Sequence, residues 1–230
     1  MKRHRFIGCF DLKPGPICIS EEKIVHQIWE VLKLRPPEEV VLCDGQGREA
    51  EAVVGERTAA GIELEIKSIA SNTSEPTHQV SLYCAVLKKE NFEMVCQKAV
   101  EAGATEIIPI VTERTIKLNL RADRLEKIIR EAAEQSGRGV VPRLGQILDM
   151  AAAIEDAAKF DVKWLCDPSD QPIQSGQKPA KIAVFIGPEG GWSLGELKLA
   201  QQTGFAIVSL GPRVLRAETA AIIATYLAAK

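Results

Sequence analysis

The sequence predicts an α/β protein in two unequal parts, and three observations carry that prediction. Up to about Ile69, short apolar runs separated by turns enclose a single helical stretch, the pattern of a small β-barrel capped by a helix. From Val80 onward, β-branched runs alternate with stretches of helical period, which is the signature of an α/β layer structure. Near the C-terminus two such runs end in glycine-bearing turns, IGPEGGW over Ile186 to Trp192 and VSLGPRVLRAETAA over Val208 to Ala221. The division is placed at residues 1–72 and 73–230.

In the first part, strands are predicted at Phe6 to Phe10, Val40 to Cys43, Ala50 to Val54 and Ile62 to Ile69, with Asp44-Gly45-Gln46-Gly47 as a turn between two of them. The helix begins after Ser20. It carries Glu21 and Glu22 in its first turn, where negative charge meets the positive end of the helix, and lines Ile24, Ile28, Val31 and Leu32 on one face. Residues Ala70 to His78, ASNTSEPTH, are polar and aperiodic and read as the linker.

In the second part, Val80 to Leu87 and Thr105 to Val111 read as strands, with a helix over Asn91 to Ala102 between them. A helix from Arg121 to Gln135 places Leu125, Ile128, Ile129, Ala132 and Ala133 on one stripe. A helix near Met150 to Ala158 precedes a strand at Val162 to Cys166, which ends in the turn Asp167-Pro168-Ser169-Asp170. The Gln171 to Pro179 segment reads as a mobile loop. Ile182 to Ile186 and Ala206 to Leu210 read as buried parallel strands. After the first, Ser193 and Glu196 have the spacing of a capping box, and Gly204 supplies the stop. The last helix, Glu218 to Ala228, is apolar on nearly all sides, as in a helix buried in its own domain or in a partner subunit.

Two tight turns at the carboxyl ends of neighbouring parallel strands make a ligand crevice, with the end of the Val162 to Cys166 strand as a third wall. Gly187-Pro188-Glu189-Gly190-Gly191 lacks the ending of a P-loop and the spacing of a dinucleotide fingerprint. Pro188 has no N–H to offer, and Glu189 puts negative charge where a phosphate would sit. A neutral or cationic, nucleoside-bearing cofactor fits better than a polyphosphate. The same spacing also suits two βα turns with no ligand, glycine being common there.

Composition narrows the classes. With 230 residues, 46% of them hydrophobic, the chain can bury one large core or two smaller ones. A net charge of −2 and a pI near 6.0 give no global nucleic-acid signal, so any RNA contact must be local. Cys9, Cys18, Cys43, Cys84, Cys96 and Cys166 are scattered without a CxxC pair, and there are three histidines. This points away from disulfides or a metal and toward a reducing cytoplasm. The basic Met1 to Arg5 leader runs into no long apolar stretch, so neither a signal peptide nor a membrane span is expected.

One stretch is locally basic. Between Arg114 and Arg143 lie eight basic residues, Arg114, Lys117, Arg121, Arg124, Lys127, Arg130, Arg138 and Arg143, against four acidic ones. A solvated helix face accounts for most of them. Arg138 and Arg143 stand apart, because Glu134-Gln135-Ser136-Gly137-Arg138-Gly139 is a polar turn from which an arginine can reach a phosphate or a base.

These stretches together resemble the RsmE family of bacterial 16S ribosomal RNA uridine-N3 methyltransferases, within the SPOUT class. The likeness rests on Glu134-Gln135-Ser136-Gly137-Arg138 followed by Val141-Pro142, on Ile186 to Gly191, and on Ser209 to Ala220, all in the family's order. Arg5-Phe6, His26, Val31-Leu32-Lys33-Leu34 and Asp44-Gly45 extend it over the N-terminal part, with departures at Lys33 and at Pro37-Glu38.

The resemblance implies a PUA-like barrel over 1–72 and a SPOUT methyltransferase domain with a deep trefoil knot over 73–230. It also implies a homodimer, and 16S rRNA of the small ribosomal subunit as partner, with no metal. S-adenosyl-L-methionine would be held by Leu165, Cys166, the loop of Gly187, Pro188, Glu189, Gly190 and Gly191, and by Ser209, Leu210, Gly211, Val214, Leu215 and Arg216. Arg5, Lys33, Arg114 and Arg138 would contact RNA.

Methyl transfer to uracil N3 requires loss of the N3 proton and stabilisation of charge on the carbonyls. Arg138 and Arg216 are the candidates for the second task, and Glu218 or Glu189 for the first or for positioning an arginine. A helix-start carboxylate satisfying backbone amides is the competing role for Glu218. Other readings are a SPOUT enzyme acting on another RNA or base position, a non-catalytic RNA-binding protein of the same fold, and an α/β enzyme that uses a nucleotide cofactor without RNA.

Overall fold

The structure, a computed structural model, describes residues 3–116, 119–168 and 180–230. Lys117, the Ser169-Asp170 half of the expected turn and the Gln171 to Pro179 loop lie outside the described residues. The chain divides into two compact units, Met1–Glu75 with Ala133–Val141, and Pro76–Ala132 with Pro142–Lys230.

The first unit contains β1 (His4–Ile7), β2 (Gly15–Ile19), α1 (Glu22–His26), β3 (Glu39–Cys43), β4 (Arg48–Thr58) and β5 (Gly61–Ser71), with a wider π turn over Gln27–Val31 continuing α1. The strands form one sheet in the order β1-β3-β4-β5-β2. β1 runs parallel to β3, and the remaining pairs are antiparallel. Alternation decides the buried face: Ala50, Ala52 and Val54 of β4 and Ile62, Leu64 and Ile66 of β5 point into one core with Phe6, Ile19, Ile24, Ile28 and Leu42.

Two details depart from the sequence reading. β2 lies where the sequence reading places no strand; a strand tolerates Pro16 there because β2 ends the sheet path, where a missing N–H can leave no ladder bond unmade. The stretch read as a linker is also bonded. β5 runs through Ser71, and Asn72 Nδ2 then donates to Glu49 Oε2 (2.6 Å) and to the Gly137 carbonyl (3.0 Å).

The second unit contains β6 (Gln79–Ala85), α2 (Lys89–Ala102), β7 (Glu106–Val111), most of α3 (Ala122–Ser136), β8 (Arg143–Leu144), β9 (Leu148–Asp149), α4 (Met150–Asp156), β10 (Val162–Cys166), β11 (Lys181–Ile186), α5 (Leu194–Gln202), β12 (Ala206–Val208) and α6 (Ala217–Ala229). All the pairings of its sheet are parallel, in the order β12-β10-β11-β6-β7-β8, with β9 also on β7. This is why its central strands are continuous apolar runs rather than alternating ones.

Tyr83 stacks on Phe185 (centroids 4.4 Å apart), and Phe205 meets Phe185 edge-on at 4.8 Å. They share a core with Ala153 and Ile154 of α4 and Ala200 of α5. Helix α6 packs against α2, β6 and β11. Its Ala221, Ala224, Thr225 and Ala228 are buried, while Tyr226 and Leu227 are 56% and 42% exposed, so the helix buries one face in its own unit and leaves two large apolar side chains uncovered. One expectation needs correction: β11 and β12 are not neighbours, because β10 lies between them.

Candidate active site

Strand order brings three carboxyl ends together. β10 ends at Cys166, β11 on its one side runs into Gly187, and β12 on its other side runs into Ser209. The ends are stitched by the Asp167 N–H, which donates to the Val208 carbonyl at 2.9 Å. Above them opens a crevice of about 690 Å³, within the range of small-molecule and cofactor sites.

The first turn is shaped by its glycines and by Trp192. The indole is 5% exposed, and its Nε1–H donates to the Cys166 carbonyl at 2.9 Å, joining the β11 turn to the end of β10. The ring lies so close over Gly187 that a Cβ there would sit 3.0 Å from Trp192 Cε2. Gly191 closes the turn by donating its N–H to the Pro188 carbonyl (2.9 Å) at φ +67, a left-handed conformation that favours glycine. Just beyond it, the expected capping box is formed. Ser193 Oγ accepts from Glu196 N–H at 3.3 Å, and Glu196 Oε2 accepts from Ser193 N–H at 2.8 Å. In the second turn, the Ser209 hydroxyl donates to the Gly211 carbonyl (3.0 Å) and accepts from the Gly211 N–H (3.3 Å).

Of the residues anticipated around a cofactor, Cys166, Gly187, Pro188, Glu189, Gly191, Val214, Leu215 and Arg216 line this crevice, as does Glu218. Ser209 and Leu210 line a smaller hollow of about 50 Å³ that shares Cys166, Asp167 and Leu215 with it. Leu165, Gly190 and Gly211 line neither, and Leu165 is fully buried.

The sequence reading missed Val86, Lys88 and Asn91, which follow β6, and Ile116, which follows β7. Nothing in their local pattern marks them. They become lining residues because β6 pairs with β11, although the rule that ligands gather at strand carboxyl ends could have nominated the β6 terminus.

The lining carries both signs of charge over apolar walls. Arg216 is exposed at the N-cap of α6, and its side chain makes no bond to another described residue. Glu218 is 9% exposed, and it too makes no side-chain hydrogen bond or ion pair within the described residues. It lies in the first turn of α6, the position a helix-start carboxylate takes. Burial, with Asp167 beside it, pushes the Cys166 thiol up to about 12, and burial raises Cys84 as well, so neither offers a thiolate. Among the described residues no group of three or more His, Cys, Asp or Glu could hold a metal ion.

The remaining candidates are placed differently. Arg138 belongs to the first unit, where it is 3% exposed and paired with Glu75 through Nη2 at 2.8 Å. The same carboxylate accepts the N–H groups of Gly139 (2.9 Å) and Val140 (3.0 Å). Arg5 pairs with Glu49 (2.6 Å) and contacts Cys43 Sγ. Lys33 is exposed, with φ +54. Arg114 donates to the Gly190 carbonyl at 2.8 Å. Much of the basic cluster is neutralised by carboxylates: Arg124 by Glu93 and Arg143 by Glu106, both distant in sequence, and Arg121 by the neighbouring Asp123.

Residues 73–229 match the RNA methyltransferase domain family. A ribosomal RNA small subunit methyltransferase E of Mesomycoplasma hyopneumoniae is 35% identical over 68% of this chain and 71% of its own length. The protein of the same name from Synechocystis is 33% identical over 95% of this chain and 77% of its own. The crystal structure of a ribosomal RNA small subunit methyltransferase E from Neisseria gonorrhoeae, bound to S-adenosyl methionine, superposes with a TM-score of 0.89 at 30% identity, covering 98% of this chain and 96% of that one. The match over residues 73–229, with a likeness to such relatives that extends along nearly the whole chain, places this protein in the RNA methyltransferase domain family and, within it, among the ribosomal RNA small subunit methyltransferases E.

Proposed function

We propose that this chain is an S-adenosyl-L-methionine-dependent methyltransferase that methylates N3 of a uridine in 16S ribosomal RNA of the small subunit. The observation that carries the reading is the crevice at the ends of β10, β11 and β12, walled by the two glycine-bearing turns, together with the S-adenosyl methionine bound in the Neisseria relative of the same fold. The residues suit that cofactor. Pro188 offers no N–H to a phosphate, Glu189 and Glu218 bring carboxylates toward a cationic ligand, and Trp192, Val214 and Leu215 give the adenosine apolar surface.

When bound, the cofactor supplies a methyl group on a positively charged sulfur, which leaves as a neutral thioether. The protein's part is orientation, charge and proton handling. The turns fix the reacting geometry on rigid strand ends. The Arg216 guanidinium, free of ion pairs to described residues, can stabilise the negative charge that spreads over the uracil carbonyls as N3 loses its proton. Glu218, buried at the crevice wall with no side-chain partner among the described residues, is the group placed to accept that proton.

The first unit is PUA-like: its five strands share one core, with Phe6 of β1 and Ile19 of β2 from the two ends of the sheet path packed into it, as a curling sheet requires, and register shifts in the β4–β5 pairing favour such curvature. Arg5 and Lys33 on that unit are its RNA contacts. A trefoil knot in the second unit is the architecture expected of the family, in which α6, following the edge strand β12, comes back to pack on β6 and β11. A homodimer is supported by the exposed Tyr226 and Leu227 on α6. Ribosomal RNA as substrate places the enzyme in the cytoplasm.

The test is methylation of small ribosomal subunits from a strain lacking the gene, with tritiated cofactor and identification of the labelled nucleoside. Label on 3-methyluridine is the expected result; label on a ribose or a purine refutes the substrate assignment.

A further inference from the structure

The segment after β7 is clipped to the cofactor-side turn at two points. Glu196, 8% exposed, uses its two carboxylate oxygens on two different elements: Oε2 accepts the Ser193 N–H at the start of α5, and Oε1 accepts the Glu113 N–H at 2.9 Å. One residue on, the Arg114 guanidinium donates to the Gly190 carbonyl at 2.8 Å, and the arginine's stem lies over that glycine, so that a Cβ at 190 would meet Arg114 Cβ at 3.3 Å. The segment is itself held in shape. Thr115 Oγ1 accepts the Thr112 N–H at 3.0 Å and shares a 2.8 Å hydrogen bond with the Thr112 hydroxyl. Its end delivers Ile116, 73% exposed, to the crevice wall.

From this geometry we infer that Arg114 is a positioning residue of the cofactor turn, and that Thr112 to Ile116 form a strap that holds Gly187 to Gly191 in its ligand-ready shape. The arginine acts through Gly190, on a turn whose other residues line the crevice, and the inference rests on the cofactor reading above. It replaces the RNA contact that the family resemblance implied for Arg114. A guanidinium spent on a backbone carbonyl of its own unit is oriented by that bond, and it directs charge at the peptide of the Gly-rich turn rather than at a phosphate outside. Glu196 complements it, because the carboxylate that caps α5 also fixes the strap's approach and so couples the end of β7 to the turn after β11.

The two roles separate cleanly in Arg114→Ala, which removes an exposed side chain and leaves the Glu196 clip intact. S-adenosyl-L-methionine affinity is measured by calorimetry without RNA, and affinity for a small-subunit rRNA fragment is measured without cofactor across a salt series. Apo thermal unfolding is recorded for each protein. A positioning role gives cofactor binding weaker by about tenfold, the loss of one charge-assisted hydrogen bond, with RNA affinity, its salt slope and the apo melting temperature unchanged. A phosphate contact gives the reverse: unchanged cofactor affinity, weaker RNA binding and a salt slope smaller by about one. That result overturns the inference, as does cofactor affinity within twofold of wild type. Glu196→Gln, which keeps only one carbonyl acceptor for two N–H donors, should also weaken cofactor binding, and wild-type affinity there counts against the strap. If wild-type protein itself binds no S-adenosyl-L-methionine, the cofactor reading fails instead, before the strap is tested.

Discussion

Replacing Gly187 by alanine tests how the crevice is built. The new methyl would stand 3.0 Å from Trp192 Cε2 and 3.2 Å from both Cδ2 and Nε1, so either the turn or the indole must yield by several tenths of an ångström. The indole is poorly placed to yield. It is 5% exposed, packed in the same core as Phe185 and Phe205, and fixed by its bond to the Cys166 carbonyl. Overpacking of this kind costs about 1–3 kcal/mol, and breaking the indole bond adds about 1 kcal/mol, so a local destabilisation of roughly 2–4 kcal/mol is expected. Hydrogen exchange at the β10 and β11 amides reads that local free energy directly, without assuming that a protein of two units unfolds in one step. Cofactor affinity should fall by at least about tenfold, because the displaced ring enters the crevice it lines. The control is Trp192→Leu, which removes Cε2 and Nε1. In that background, Gly187→Ala should cost less than about 1 kcal/mol, a strong coupling between neighbours. If the two penalties simply add, the indole is not what excludes a side chain at position 187, and the account of the turn is wrong.

Three further outcomes follow from the same structure. Glu75→Gln should destabilise the 137–141 loop by about 3 kcal/mol by removing the Glu75 charge from its pair with the buried Arg138, whereas Glu75→Gln with Arg138→Met should recover most of the loss; hydrogen exchange of that loop distinguishes the two, and equal losses would contradict it. For Asp44, burial alone would raise the carboxyl, but the N–H groups of Gln46 and Arg48 and the Arg48 guanidinium hold it below the ordinary value. Its contribution is therefore full above about pH 4 and lost as pH falls through the folded value. Asp44→Asn should be less stable than wild type at pH 7, with the gap narrowing as pH falls below about 4 in acid-denaturation curves, and a gap that does not change with pH would refute this. Arg216→Ala should lower methyl-transfer turnover by about a hundredfold while leaving cofactor affinity within about threefold, and near-wild-type turnover would remove Arg216 from the chemistry.

Wherever a local rule suffices, the sequence by itself determined this protein. The Val162 to Cys166 strand, the capping box of Ser193 and Glu196 and the Gly-rich turn after Ile186 all stand where residue type and spacing put them, because capping, turn chemistry and hydrophobic period act over a few residues. The part of the crevice lining that lies in the two glycine-bearing turns was legible too. Only the tertiary structure decided that β10 separates β11 from β12, that β6 lies against β11 and brings Lys88 and Asn91 to the crevice, and that Arg138 is buried against Glu75, 63 positions away. The same holds for the basic cluster, whose surplus along the chain is offset by Glu93 and Glu106 from other elements. Strand order and the partner of a long charged side chain are set by which surfaces bury together, and that free energy belongs to pairs of residues far apart in the chain.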